Sequence, residues 1–457
     1  MEKHSINILP NAPRFRALLG PSFILLGLGL GSGEFILWPY LTSNFGMGII
    51  WGAVLGVTFQ FFINMEIERY ALAKGESIFV GFARKYKNLP YWFIFSTLLA
   101  WIWPGIIATS ARLFGEVFAI QNINVFGIIL LLVIGSILTL GPVLYKTVEK
   151  ISLVLITVSV PAIFVLAVYL SSRSDIIDMF YGMVNFGNIP KGLPLASFLA
   201  AFAFAGAGGN LNLAQSFYVK EKGYGMGKYG GKITSILTGE VEDISITGTA
   251  FAVNSENIDR FKKWWKVVNL EHFLVFWLGG VVSICMLSLL SYSTVFGSVN
   301  LPSGVEFIIY EAGVISSRLG SVIGISFLLI GGFMLFNTQL TVLDATSRIM
   351  AENMLILKIK RWKSIMLPKI YYSFLWLQIL AGIIIFLFDF GQPFLLLTIS
   401  AVLNAVAMFV HIGLTLNLNL TSLEKEIRPN LFRILWMVVA FLFFGYFSYK
   451  TIVPLFF

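Results

Sequence analysis

The sequence is short of charge, of cysteine and of histidine, and each shortage narrows what the chain can be. Charged residues make up 12% of its 457 positions, while apolar residues make up 57%. A soluble core cannot absorb that much apolar surface. Apolar runs of about 20 residues recur along the chain, which is the length a bilayer demands. The single cysteine, Cys285, rules out an internal disulfide and, lying inside an apolar run, reads as packing. The chain lacks a cluster of metal ligands, a Cys–His pair and a Ser–His–Asp grouping, so no catalytic constellation, resident metal or cofactor is expected. A phosphate cradle is missing too. The stretch KEKGYGMGKYGGK is glycine-rich, but no glycine lies five residues before a Gly-Lys pair followed by Ser or Thr, which argues against an ATP-driven pump.

The formal net charge of +9 invites a nucleic-acid reading. Its basic residues lie between apolar runs rather than on one patch, so they are topology signals, and no nucleic-acid partner is expected. The opening MEKHSINILPNAPRFRALLG is polar and basic, and the apolar run after it is long enough to span; no cleavable signal peptide is expected.

About eleven spans are expected. They fall roughly at 20–41, 47–67, 91–116, 125–144, 151–170, 193–219, 270–296, 321–349, 370–388, 393–414 and 432–455. With the N-terminus in the cytoplasm, most of the 32 Lys and Arg residues fall on the inner side. Their clusters are Arg84, Lys85 and Lys87; Lys220 to Lys266; and Lys358, Lys360, Arg361, Lys363 and Lys369. An odd number of spans then puts the C-terminus outside, in a cell (plasma) membrane protein. The longest connection, roughly 220–269, joins a glycine-rich half expected to be flexible to IDRFKKWWKVVNLEHF, which mixes Trp and Lys as an interfacial helix does. ESIFVGFARKYK invites the same interpretation.

Two glycine clusters stand out inside spans. GLGLGSGE opens the first block of five spans, and AFAFAGAGGNLNLAQS opens the second. Five is odd, so the second block enters the membrane with opposite orientation: the outline of an inverted repeat with two discontinuous helices. Unwound backbone at membrane depth is tolerated only where protein buries it or it lines a cavity, and its freed carbonyls and amides can hold a ligand. Helix–helix packing alone explains one such cluster. Two, at matching positions and each followed by a polar side chain, favour a site. The expected architecture is all-α, one domain over 1–457, with repeats of about 17–171 and 193–416 and an extra helix at about 430–457.

At GPSFILLGLGLGSGE, SNFGMGIIWG, ERYALAKGES, GIIATSARLFGEVF, NLNLAQS and SRIMAENML the sequence resembles the Nramp family of proton-coupled divalent-metal transporters, remotely and in pattern. The resemblance implies a LeuT-type fold with helices 1 and 6 broken. It also locates the departures. Where the family has Asp-Pro-Gly-Asn, this sequence has Gly31, Ser32, Gly33 and Glu34; where it has Met-Pro-His, the matching residues are Gly208, Gly209 and Asn210. A second family histidine corresponds to Gln215, and the acidic residue of the third span to Ser110.

Transition ions prefer nitrogen and sulfur ligands, so a lining of Glu34, Asn210, Asn212 and free carbonyls is poor at holding Mn²⁺ or Fe²⁺. A hard ion such as Mg²⁺ or Ca²⁺ needs more than one carboxylate. A neutral polar solute such as a monosaccharide suits the set better, with Trp38, Trp101, Trp103 and Tyr40 near enough to offer a ring face. The expected binding residues are Gly31, Ser32, Gly33, Glu34, Gly208, Gly209, Asn210, Asn212 and Gln215. Glu34, Arg112 and Glu116 are the coupling candidates. Glu34 lies deepest, and loss of water on closure favours its neutral form. Arg112 and Glu116, four residues apart, can pair, as can Asp344 and Arg348. Glu66, Glu68, Arg69, Glu271 and His272 read as interfacial, His411 as a satisfied buried histidine, and Asn404 as able to face the site. The function expected is secondary transport, a proton-coupled symport of a neutral polar solute, with divalent-cation transport as the alternative. Protons, the solute or cation and the lipid bilayer are its expected partners.

Overall fold

In the computed structural model, residues 4–13, 20–31, 33–141, 144–233, 245–298, 301–302, 304–388 and 393–452 are described. Ser32 lies outside them. The chain starts with a strap: β1 (Ser5–Asn7) pairs in parallel with β2 (Thr249–Phe251), a two-stranded exception to an otherwise helical fold. The first span is divided into α1 (Pro21–Gly29) and α2 (Trp38–Phe45), with a π-helical turn over Gly33–Leu37 between them. α3 (Trp51–Lys74) is continuous and stops at Gly75, which takes the left-handed conformation (φ +61°) that ends helices cheaply. α4 (Ile78–Lys85) leads into α5 (Leu89–Trp101) and α6 (Gly105–Phe118), the two parts of the third span. α7 (Ile123–Leu140) and α8 (Leu144–Leu170) follow. α9 (Arg173–Val184) is short and starts on a capping box made by Ser172 and Asp175.

The sixth span is also divided, into α10 (Leu195–Ala203) and α11 (Gln215–Lys222), joined through a 3-10 turn at Gly209–Ala214. α12 (Ser255–His272) continues through a π-helical stretch into α13 (Gly279–Val295). The rest is α14 (Glu306–Leu319), α15 (Ser321–Leu357), α16 (Leu367–Leu387), α17 (Pro393–Ser422) and α18 (Leu431–Ile452). Among the described residues, 10 helical stretches are long and apolar enough to cross a bilayer. The sixth expected span is not one of these, because α10 and α11 are each too short by themselves.

Burial sorts these helices. The most apolar window of the first span is 94% buried, against 28% for α7 and for α8 and 22% for α18. The interrupted helix is therefore at the centre, and the three uniformly apolar helices form the lipid-facing rim.

Several connections differ from expectation. The glycine-rich stretch expected to be flexible is packed: Gly225, Met226 and Gly227 are buried, and a Cβ on Gly225 (φ +50°) would stand 2.6 Å from the Leu72 carbonyl oxygen. Its glycines serve close approach to α3. The segment expected to lie as an interfacial helix is α12, continuous with the seventh span and fixed by Arg260 on the Leu9 carbonyl (2.8 Å) and Trp264 on that of Pro10 (2.7 Å). The stretch ESIFVGFARKYK is no surface helix either, since Ile78 to Ala83 are buried.

Glu66, Glu68, Arg69, Glu271 and His272 are likewise buried, not interfacial. Neighbouring polar groups make that tolerable: Arg69 grips Glu66 through Nε at 2.7 Å and lies over the Trp265 ring at 3.8 Å. Glu76, in the turn after α3, receives Arg84 at 2.8 Å, His4 at 3.0 Å and the Gly248 amide at 2.9 Å. Burial pushes its carboxyl up, but the His4 bond and the Arg84 charge outweigh burial and hold it below the usual range. Asp344 and Arg348 do pair, at 2.9 Å.

Candidate substrate and coupling site

The two interruptions meet. A Cβ on Gly29 would stand 2.7 Å from Gly206 Cα, and one on Gly33 would stand 1.8 Å from the Phe204 carbonyl oxygen. No residue with a side chain fits where backbone crosses backbone so closely. Gly31 is confined by a third helix: its Cβ would fall 2.4 Å from Thr338 Oγ1 on α15. That hydroxyl donates to the Gly27 carbonyl at 2.9 Å and satisfies part of the backbone freed at the end of α1.

At the second interruption Gly206, Gly208 and Gly209 have φ of +128°, +72° and +57°. Gln60 of α3 spans it. Its amide nitrogen donates to the Ala203 carbonyl (3.0 Å), and its oxygen accepts from the Gly208 amide (3.1 Å) and from Asn212 Nδ2 (3.0 Å). One side chain thus satisfies the last carbonyl of α10 and the first amide of the next turn. His411 of α17 meets the Gly209 carbonyl at 2.9 Å. A carbonyl only accepts, so Nε2 carries a proton; the ring is buried and bonded on that side, while Nδ1 is buried without a partner. Asn404, also on α17, packs its Oδ1 against Gly209, where a Cβ would come within 1.8 Å.

The glycines Gly31, Gly33, Gly208 and Gly209 therefore gather at one crossing, but the polar side chains radiate from it. Asn210 donates to Ser96 (2.8 Å) and Thr97 (2.9 Å) on α5. Asn212 donates to Asn64 (2.7 Å) and Gln215 to Glu68 (3.0 Å), both on α3. Glu34 turns the other way, toward α13: a Cβ on Gly280 would lie 3.6 Å from its Oε1. Arg112 and Glu116 pair at 3.0 Å, share Arg112 with Glu306 of α14 at 2.9 Å, and stand apart from the crossing, partly exposed. Of the aromatic candidates, Trp101 stacks on Phe204 at 5.4 Å and Trp38 donates to the Ala201 carbonyl at 2.9 Å, so both touch α10 or its end. Trp103 bonds only within its own turn.

What the arrangement offers is acceptor oxygen. Both Glu34 oxygens, Asn210 Oδ1, Asn212 Oδ1, Gln215 Oε1 and Asn404 Oδ1 are buried without a donor. Buried polar groups are normally paired, so these oxygens are acceptors that a hydroxyl, a proton or a hard cation would satisfy. Among the described residues there is no group of three or more His, Cys, Asp or Glu placed to hold a metal ion.

Gln60, Asn64, Ser96, Thr97 and Thr338 were not singled out from the sequence. For the first two a signal exists: in TFQFFINMEIERY the polar residues Gln60, Asn64 and Glu68 recur every fourth position of an apolar run, one face of a helix. Replacing Gln60 with Leu strands a carbonyl and an amide that it alone satisfies. The expected cost is about 1–3 kcal/mol for each group left unpaired, read as a fall in the thermal unfolding midpoint in detergent. An unchanged midpoint would show that water or a neighbour takes over.

No known family profile matches the chain, and no curated protein matches it in sequence. Solved structures do match in shape. A variant of the manganese transporter of Eremococcus coleocola superposes with a TM-score of 0.71 at 15% identity, over 98% of this chain and 89% of that one. The same transporter, in complex with an aromatic bis-isothiourea substituted compound, gives 0.71 at 14% over the same shares. The transporter MhsT, in complex with L-phenylalanine, gives 0.57 at 14% over 99% of both chains. At such identities the likeness is one of fold, and the fold is the LeuT type that the sequence resemblance implied.

Proposed function

We propose that this chain is a secondary active transporter that couples proton movement to the uptake of a neutral polar solute such as a monosaccharide. It would sit in the plasma membrane with its N-terminus in the cytoplasm and its C-terminus outside, its two halves acting as inverted repeats around the crossing. The observation that carries the reading is Glu34, fully buried beside the interrupted first helix with both oxygens unpartnered. A carboxylate is costly to keep charged in such a place, so exchange of a proton with water as the site opens gives the cycle its drive. The accompanying acceptors, Asn210, Asn212 and Gln215, are suited to hydroxyl donors, and stacked Trp101 supplies an apolar face.

Divalent-cation transport is the second reading, favoured by the likeness to a manganese transporter and by the excess of oxygens. The oxygens suit Mg²⁺ or Ca²⁺ better than Mn²⁺, since neither sulfur nor imidazole stands at Gly31 or Gly208. Purified protein in liposomes separates the two. Saturable entry of glucose-like solutes driven by an inward proton gradient is the expected result. Saturable Mn²⁺ or Mg²⁺ entry that these solutes fail to compete with overturns it.

A further inference from the structure

Toward the face carrying β1, many basic residues are tied to acidic ones. Arg69, Lys74, Arg84, Lys222, Arg260 and Arg348 each reach a carboxylate at 2.5–3.0 Å. The turn between α15 and α16 is different. From Lys358 to Lys369 it carries five basic residues, Lys358, Lys360, Arg361, Lys363 and Lys369, and neither Asp nor Glu. All five are exposed, and none reaches a carboxylate among the described residues. Ile359 and Ile365 stand exposed among them, at 36% and 60%, while Trp362 packs against the core.

The turn is fixed by its own backbone. Arg361 and Trp362 donate their amides to the Lys358 carbonyl at 2.7 and 2.9 Å, and Met366 donates to that of Lys363 at 3.0 Å. It lies on the side of β1, because Glu352, near the end of α15, accepts from Ser77, whose neighbour Glu76 is bound to His4. Its depth follows from α16, which has 21 residues. At about 1.5 Å per residue that helix is about 31 Å long, close to the thickness of the hydrocarbon core, so the turn before Leu367 stands at the headgroups. A bias of Lys and Arg toward one side orients a chain without any lipid being bound. That account needs only charge, and leaves unexplained why isoleucines are exposed among these charges and why carboxylates are missing. Basic side chains interleaved with exposed apolar ones suit an anionic lipid: the cations meet its phosphate and the isoleucines enter the acyl boundary.

We propose that the α15–α16 turn is a binding site for anionic phospholipid headgroups in the leaflet on the β1 side, held by Lys358, Lys360, Arg361, Lys363 and Lys369 with Ile359 and Ile365 set into the lipid beside them. Bound lipid would steady the end of α15. That helix holds α11 through Arg348 and the end of α1 through Thr338, so the site bears on both interrupted spans. It does not depend on which solute is carried.

Titrating phosphatidylglycerol or phosphatidylcholine onto the purified full-length protein in detergent, with bound lipid read by native mass spectrometry, tests it without a substrate. The wild type is expected to hold phosphatidylglycerol more tightly than phosphatidylcholine. Changing all five basic residues of the turn to Gln should weaken phosphatidylglycerol about tenfold or more, since one basic residue near an anionic surface contributes roughly fivefold, and should leave phosphatidylcholine unchanged. Lys358→Arg, Lys360→Arg, Lys363→Arg and Lys369→Arg together keep the charge and should keep the preference. Lys87, Lys228, Lys262, Lys263 and Lys266 are exposed lysines of the same side; changing those to Gln should also keep it. If the five-Gln variant of the turn does not fold, Lys360→Gln with Lys363→Gln should still weaken phosphatidylglycerol severalfold. Wild-type affinity in both Gln variants of the turn overturns the proposal. An equal loss in the Lys87–Lys266 control overturns it in favour of net charge alone. Displacement of phosphatidylglycerol from the wild type by inorganic pyrophosphate overturns the lipid in favour of a soluble phosphate ligand.

Discussion

Glu34→Gln is expected to abolish accumulation of solute against its gradient under an imposed proton gradient, while exchange across the membrane without a gradient continues. The substitution keeps shape and volume and removes the carboxyl in the first interruption that can gain and lose a proton. Glu34 has no donor within hydrogen-bonding distance and lies against Gly280 and near Cys285, an apolar wall on α13. Buried as it is, its charged form has nothing to offset it, so in the proposed cycle burial is linked to protonation and access to water to release of the proton. Glutamine is locked in the neutral state: the helices can still rock, but nothing ties the rocking to the proton gradient. Counterflow and gradient-driven uptake in liposomes, measured side by side, read the difference. If gradient-driven uptake persists at the wild-type level, Glu34 has no part in coupling.

The second large effect concerns Arg348. This residue is 1% exposed, with Nε 2.9 Å from both Asp344 oxygens and Nη1 on Glu221. Tyr371 and Tyr218 donate to Asp344 at 2.9 and 3.3 Å, so the arginine ties α15 to α11 directly and to α16 through Tyr371. Arg348→Met keeps much of the volume but strands two buried carboxylates. Breaking such a pair from one side costs about 3–5 kcal/mol, because the remaining charges have lost their partner. We expect a large fall in the unfolding midpoint in detergent, and a smaller one when Asp344→Asn is added, since that relieves one stranded charge. Equal midpoints for wild type and Arg348→Met would mean that the cluster contributes nothing to stability.

How much of this is legible in the sequence varies with the kind of information. Glycine spacing marks both interruptions, because a helix carrying several glycines at membrane depth is built either to unwind or to let another backbone come close. The crossing of Gly29 and Gly33 with Gly206 and Phe204 does both. The pairs Asp344–Arg348 and Arg112–Glu116 follow from helical periodicity alone. Glu66, Glu68, Arg69, Glu271 and His272 are deceptive, because charge near the end of an apolar run usually signals an interface. Here the partners that make their burial tolerable come from α1, α11, α12 and α18, hundreds of residues away in some cases, and no local pattern encodes them. The packed stretch around Gly225 deceives for a similar reason. Glycine there permits close approach to α3, and composition does not distinguish that use from flexibility.

The sequence by itself determined that the chain crosses a bilayer many times, that two of its helices are interrupted, and that ligands suited to a soft metal are missing. Those follow from hydropathy, backbone freedom and side-chain chemistry, which are properties of single segments. Only the tertiary structure decided which way Glu34, Asn210, Asn212 and Gln215 face, and that Gln60 closes the backbone of the second interruption. A helical period fixes which residues share a face, but the partner that face meets is chosen by packing across the whole bundle.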